Sequence, residues 1–382
     1  MHSRKAPLAT MARETPPPSL TLVVLLAAEV PLDTPTTLEA PESISRVILP
    51  RFRQFLKTKH PEKAIRVVPV WSEESLLSQK EALADATVVF VLDNDGSCLP
   101  ALYAHAKRLR WLHSMSAGVD CFSFFLNSTP SHKSASQTLV EDPGFLVTNG
   151  KGVFSRPLAE YVAAAMLHFA KDICRLQKLK HERSWNPAPM HQLRGKTVGF
   201  LGYGDIARET AKLLRAFGMR CVAMKRSANS EENSLAEKVW TSADPDRLEF
   251  FKISDFVVCS LPGTPETRHA VGAAEFSAMK PSAVFISIGR GSVVDEHALL
   301  KALETKALAG AALDVFATEP LPETSPLWRA ENLLISSHCC DWVKDHSAEE
   351  AFRVFEENFR RFLQGAQTQQ DMYTPINKQL GY

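Results

Sequence analysis

Three things that this 382-residue sequence lacks narrow its function before any motif is read: a long apolar run, paired cysteines and a net charge. The most apolar stretch, LTLVVLLAAEV at 20–30, is only strand-length before Glu29 interrupts it, against the roughly 18 residues of a membrane span. No membrane-spanning helix is therefore expected, and no membrane partner. The seven cysteines, at 98, 121, 174, 221, 259, 339 and 340, are odd in number and scattered, without CxxC spacing. That argues against a disulfide framework and a zinc site, and for a reducing compartment. Lys and Arg total 44 against 43 Asp and Glu, a formal charge of +1, so no global field attracts nucleic acid or a membrane surface. A small-molecule partner is the better expectation, with no metal.

Several motifs are present only in part. No GxSxG occurs, which leaves a serine hydrolase without its nucleophile elbow. GKT at 195–197 mimics the end of a phosphate-binding loop, yet Met190 stands where its first glycine belongs. DNDG at 93–96 resembles the middle of a calcium loop, but Val91 and Leu102 occupy its first and twelfth positions, so it reads as a turn. No solenoid-type repeat appears.

What is there is ordinary for a globular chain, with 45% hydrophobic and 23% charged residues. The length exceeds what one hydrophobic core usually organises, so two domains are expected. Residues 1–20 carry Arg4, Lys5 and Arg13 against a lone Glu14, then PPP at 16–18, and read as a disordered tail. A targeting segment is the alternative to a plain extension there, and the cytoplasm is the expected location. From 21 to 150, short apolar runs (TLVVLLAA, AIRVVPV, ATVVFVL, RWLHSM, GFLVTN) alternate with helix-compatible stretches, the pattern of a parallel α/β unit. The segment 127–143 reads as a loop. In RPLAEYVAAAMLHFAKDI, apolar residues at 158, 161, 162, 165, 166, 169 and 173 follow helical spacing. From Thr197 a second α/β series begins, with strands TVGFL, CVAM, DFVVCSL, AVFISIG, LAGAALDV and NLLISSH. An amphipathic helix, AEEAFRVFEENFRRFLQG, and a polar tail close the chain.

The stretch TVGFLGYGDIARETAKLLRAFG supplies a strand ending at Gly202, a turn through Tyr203 and Gly204, and a helix starting near Asp205 and Ile206. Backbone amides and the helix dipole at such a turn suit a pyrophosphate. Ala207 takes the third glycine position, which needs only close helix-to-strand packing. The acid that holds a ribose 2′-hydroxyl should follow about 20 residues on, at the next strand end. Lys225 and Arg226 stand there instead, and no Asp or Glu occurs between Thr210 and Glu231. Two cations suit a 2′-phosphate, so NADP is the expected cofactor and NAD the alternative.

Arg290, Asp314, Glu319 and His338 lie at or beyond the C-terminal ends of successive predicted strands, where a doubly wound sheet gathers its ligand groups. Individually each has a structural explanation: Arg290 pairing with Asp295, Glu319 in a turn, His338 as one histidine among twelve.

Taken in order, RLRWLHSMSAGVD, GKGVFSRPLAEYV, GKTVGFLGYGDIA, SLPGTPETR, GRGSVVDE, LDVFATEPLP and SPLW…NLLISSH resemble the D-isomer-specific 2-hydroxyacid dehydrogenases, over residues 80 to 365. SMSAGVD and PLW look most like the glyoxylate and hydroxypyruvate reductase branch. The resemblance implies that Arg290 binds the substrate carboxylate and polarises the 2-oxo oxygen. It makes His338 the general acid or base and Glu319 its orienting partner. It implies that Ala117, Gly118 and Val119 help hold the carboxylate, and that Asp314 lies near the nicotinamide. Pro262, Thr267 and Ile288 join the implied cofactor set, and a homodimer is implied. Ser336 and Ser337 before the histidine, and Cys339, Cys340, Asp341 and Trp342 after it, depart from the family's pattern. Trp342 is expected to limit substrate size, and the vicinal cysteines read as small filler rather than a redox switch.

The expected architecture is α/β with two doubly wound parallel-sheet domains and the active site in the cleft between them. A flavodoxin-like substrate domain spans 21–154 and 339–382, and a Rossmann-type coenzyme domain spans 155–338. The rival from another class is a dinucleotide-sensing co-repressor on the same scaffold. Phosphoglycerate oxidation and formate oxidation are weaker readings.

Overall fold

Apolar runs of four to six residues, each followed by a polar helical stretch, fold here as parallel strands covered by helices. The computed structural model describes residues 20–26, 44–92, 96–127, 138–227, 235–343 and 346–381. The basic tail, and residues 93–95 of the DNDG turn, lie outside the described residues. The strands are β1 (Leu20–Leu25), β2 (Ile65–Val70), β3 (Ala86–Val91), β4 (Trp111–Ser114), β5 (Leu146–Thr148), β6 (Thr197–Leu201), β7 (Arg220–Lys225), β8 (Val239–Thr241), β9 (Phe256–Cys259), β10 (Val284–Ser287), β11 (Gly310–Leu313) and β12 (Leu333–Ile335). Nine of the eleven apolar runs named from the sequence contain one of them, and the other two, TLVVLLAA and CVAM, overlap β1 and β7.

One sheet has the order β2-β1-β3-β4-β5 and the other β12-β11-β10-β9-β6-β7-β8. The first is the flavodoxin-like order, with β1 parallel to both β2 and β3. The second, every pair parallel, is the Rossmann order with a seventh strand added. Contacts group the described residues into two compact units, those up to Leu112 in one and those from His113 in the other.

In the second unit the core is split by its sheet. Val222, Met224, Val257, Cys259 and Phe285 pack on one face with Phe250, Phe276 and Leu299 from helices Arg247–Ile253, Ala273–Ala278 and Glu296–Glu304. Cys221, Ala223, Phe256, Val258, Val284 and Ile286 pack on the other with Val162, Met166, Ala211 and Leu214 from helices Ser155–Ala170 and Asp205–Ala216. Successive residues thus alternate between two dry faces, which is why these strands read as unbroken apolar runs. No helix among the described residues is long and apolar enough to cross a membrane.

One local departure from the sequence reading has a physical cause. The helix of the RPLAEYV segment stops at Ala170, because Asp172 adopts a left-handed backbone (φ 49°) and a separate helix, Ile173–Glu182, starts after it. The polar C-terminal tail is held in place after helix His346–Leu363. Fully buried Asn358 donates to Val354 O and Thr374 Oγ1, both at 2.9 Å, and accepts from Tyr373 N (2.9 Å) and Thr374 N (3.2 Å). Thr374 in turn donates to Asn149 O at 2.7 Å, and Ile376 N to Val147 O at 3.2 Å, beside β5. Asn358→Ala leaves these groups unsatisfied in a dry site, and we expect it to lower stability by about 3 kcal/mol. Urea unfolding checks this; an unchanged midpoint would show that the tail is anchored elsewhere.

Candidate active site

The second sheet's order reverses between β6 and β9, and the loops after β6, β7, β9, β10, β11 and β12 all leave from strand C-terminal ends. After β6, Gly202 takes a left-handed turn (φ 89°), and Gly204 caps helix Asp205–Ala216 with open space in front of its Cα. The first-turn amides of this helix have no carbonyl ahead of them. Gly202 N donates to Met224 O at 2.9 Å, tying the turn to the end of β7, where Lys225 and Arg226 stand. On the other side, Ser260 N donates to Leu201 O at 3.0 Å and Ser260 Oγ to Gly202 O at 3.2 Å. Glycine turn, helix N-terminus and paired cations occupy one corner, and these residues fit a dinucleotide phosphate. Asp205 pairs with Arg208, and at 3.9 Å with Lys151.

Tyr203 enters the core instead: it is 4% exposed and packs among the helix-facing apolar residues. Only its backbone faces the turn. Ile206 is half-buried against the same cluster. Past β9, Thr267 Oγ1 donates to Pro262 O at 2.6 Å and accepts from Thr264 N at 2.9 Å, fixing this loop. Glu266 in that loop is held below the usual carboxylate range by its own backbone amide and then the Thr264 hydroxyl, with Arg226 adding to the effect.

Arg290 lies three residues beyond β10, its side chain 29% exposed. Its Nε donates to Asp120 Oδ1 at 3.1 Å and its Nη1 to Gly289 O at 3.0 Å. Asp295 is not its partner, because that carboxylate caps helix Glu296–Glu304 by accepting from Ala298 N. Gly118 lies against the guanidinium so closely that a Cβ there would be 1.4 Å from Arg290 Nη2. Gly118 and Asp120 of the SAGVD segment thus meet Arg290, and Val119 between them is buried.

His338 lies beyond the end of β12 rather than on it, in a left-handed conformation (φ 51°). Its Nδ1 is 2.7 Å from Glu319 Oε2, while Glu319 Oε1 accepts from Phe316 N at 2.8 Å. Both carboxylate oxygens are engaged, so the imidazole is oriented through Nδ1. Asp314, 2% exposed, accepts from Cys339 N (3.1 Å) and Cys340 Sγ (2.8 Å). Ile288 follows β10, 5% exposed, with its N on Cys259 O at 3.0 Å.

Burial raises the Asp341 carboxyl, against the pull first of His338 and, more weakly, of Arg290. One carboxyl therefore senses both groups, which places Arg290, Asp341 and the Glu319–His338 pair in one neighbourhood. Trp342 is 58% exposed.

Asp120, Tyr161, Ser336 and Asp341 were missed as site residues from sequence. Asp120 stood inside the quoted SAGVD segment, and Asp341 beside the histidine. Tyr161 gave no signal beyond its place on an apolar helix face, yet its hydroxyl meets Ser336 Oγ at 2.8 Å. Lys196 of the GKT decoy pairs with Asp255 at 3.6 Å.

Comparison with known proteins fits this geometry. Residues 163–340 match the family profile described as D-isomer specific 2-hydroxyacid dehydrogenase, NAD binding domain. A glyoxylate reductase of Aeropyrum pernix is 32% identical over 314 residues, covering 78% of this chain and 87% of its own length. Glyoxylate/hydroxypyruvate reductase B of Pectobacterium carotovorum is 31% identical over 259 residues, 66% and 76% of the two chains. A D-isomer specific 2-hydroxyacid dehydrogenase of Xanthobacter autotrophicus, solved with NADPH and MES, superposes with a TM-score of 0.69 at 25% identity, covering 95% of this chain and all of the other.

Gly118→Ala should displace the Arg290 guanidinium. We expect about a tenfold rise in the KM of an anionic substrate, with NADPH affinity unchanged. Steady-state kinetics beside NADPH fluorescence titration checks this; an unaltered KM would mean that Arg290 does not bind the anion.

Proposed function

Because the chain belongs to the D-isomer specific 2-hydroxyacid dehydrogenase family, we propose that it reduces a small 2-oxo acid, glyoxylate or hydroxypyruvate, to the D-2-hydroxy acid. NADPH is the preferred donor and NADH the alternative. The observation that carries the reading is the oriented histidine: the Glu319–His338 contact at 2.7 Å, with Arg290 held beside the SAGVD segment.

Arg290 takes the substrate carboxylate with its planar fork and turns the 2-oxo oxygen toward His338. Backbone amides of Ala117, Gly118 and Val119 complete that anion site. His338 Nε2 delivers a proton to the oxygen during reduction and removes it during oxidation. Glu319 keeps the ring oriented. A bound nicotinamide supplies the hydride to the carbonyl carbon. Gly202, Tyr203, Gly204, Asp205 and Ile206 would hold the pyrophosphate through their backbone. Lys225 and Arg226 would hold the 2′-phosphate, and Pro262, Thr267, Ile288 and Asp314 would line the rest of the cofactor site. We assign 155–338 to the coenzyme domain, and 21–154 with 339–382 to the substrate domain. Seven free thiols suit a reducing compartment, the cytoplasm.

The test is consumption of NADPH and NADH with glyoxylate and hydroxypyruvate, for the wild type and His338→Ala. Faster turnover with NADPH is expected, and the histidine variant should lose about a hundredfold or more in kcat while still binding cofactor. Cofactor binding without consumption would return the chain to the dinucleotide-sensing reading; equal turnover in the variant would remove His338 from its role.

A homodimer is supported by an uncovered segment of the second unit. Helix Ile173–Glu182 has no buried residue, and Trp185 after it is 98% exposed beside Met190 at 46%. An exposed tryptophan on such a segment marks an interface anchor. Trp185→Ala should weaken self-association about tenfold or more, as read by sedimentation velocity across concentrations. A wild type that sediments as a monomer throughout would overturn the dimer.

A further inference from the structure

The His338 backbone lies in a region that non-glycine residues seldom occupy. Such a conformation persists only where its surroundings over-determine it. Four hydrogen bonds do so here. Ser336 N donates to Leu313 O at 3.0 Å and His338 N to Asp314 O at 2.8 Å. Cys339 N reaches Asp314 Oδ1 at 3.1 Å, and the Cys340 thiol reaches Asp314 Oδ2 at 2.8 Å. From the other side, Tyr161 holds Ser336 at 2.8 Å. Asp314 is 2% exposed, and a carboxylate in so dry a place needs donors on both oxygens.

The geometry points to a thiol clamp: Cys340, by donating to Asp314, positions the loop that carries His338. Cys340 is thus a positioning residue, acting through Asp314 and the backbone, and not filler. Cys340 is one of the residues after the histidine that depart from the family's pattern, so the clamp belongs to this chain's own departure. Burial raises the Cys340 thiol far above its ordinary range, and Asp314 raises it further. It stays protonated, as a donor must. Cys339 beside it is exposed. Two adjacent thiols therefore have opposite chemistry: one is locked inward, and the other is open to reagents. The effect on turnover rests on the reductase reading; the clamp itself does not.

Three variants of the full-length protein test this: wild type, Cys340→Ala and Cys340→Ser. Alanine removes the donor and should lower kcat about tenfold, because misplaced catalytic groups lose rate steeply, with NADPH affinity and the KM for the 2-oxo acid little changed. Serine keeps a donor and should recover most of the rate. Equal kcat in wild type and alanine variant, or equal loss in alanine and serine variants, overturns the clamp and leaves Cys340 as filler. Independently of turnover, brief iodoacetamide treatment followed by peptide mass analysis should modify Cys339 and spare Cys340. The melting temperature should fall in the alanine variant and be restored in the serine variant. Equal labelling of both cysteines, or equal melting of both variants, overturns the clamp even where no 2-oxo acid is consumed. Wild-type protein that consumes no cofactor with any 2-oxo acid would remove the reductase reading alone.

Discussion

Ile288 N on Cys259 O, Asp314 N on Ser287 O and Ser336 N on Leu313 O carry the ladder of the seven-stranded sheet one step beyond its strands. Each bond ties the first residue of a loop to the last residue of the neighbouring strand. The loops that bear Arg290, Glu319 and His338 thereby start from a common edge with little freedom. Parallel strands with two buried faces supply the rigidity, and the order reversal at β6 and β9 supplies the open end.

The same edge sorts its acids by environment. Glu319 has a side chain 36% exposed and meets the His338 imidazole at 2.7 Å. Asp314, five residues earlier, is nearly dry and accepts from two neighbours of that imidazole. Asp120 holds Arg290 by one nitrogen while its own side chain is 49% exposed. Asp341, raised by burial, adds a less readily ionised carboxyl to the neighbourhood. One sheet end thus combines a carboxylate–imidazole pair, a guanidinium held by a carboxylate and a buried anchor.

Much of this was legible in the chain. Val222, Ala223 and Met224 face opposite sides of a sheet buried on both, so β7 appears as an unbroken apolar run. Gly202 and Gly204 followed by Asp205 announce a strand, a turn and a helix, because the turn needs a left-handed residue and an open approach. The burial of the Tyr203 side chain was hidden, since the fingerprint spacing says nothing of a side chain that turns into the core. The Asp172 break was equally hidden, as apolar spacing runs across it to Ile173.

What the sequence by itself determined is what depends on near neighbours: strands and helices through apolar period, the phosphate turn through glycine, and the pair of cations at the end of β7. What only the tertiary structure decided is which distant groups meet. Asp120 and Arg290 are 170 residues apart, Tyr161 and Ser336 are 175, and Asp314 and Cys340 are 26. No local propensity encodes such pairings. They follow from the order in which the strands assemble, and from a burial that leaves each polar group only the partner within reach.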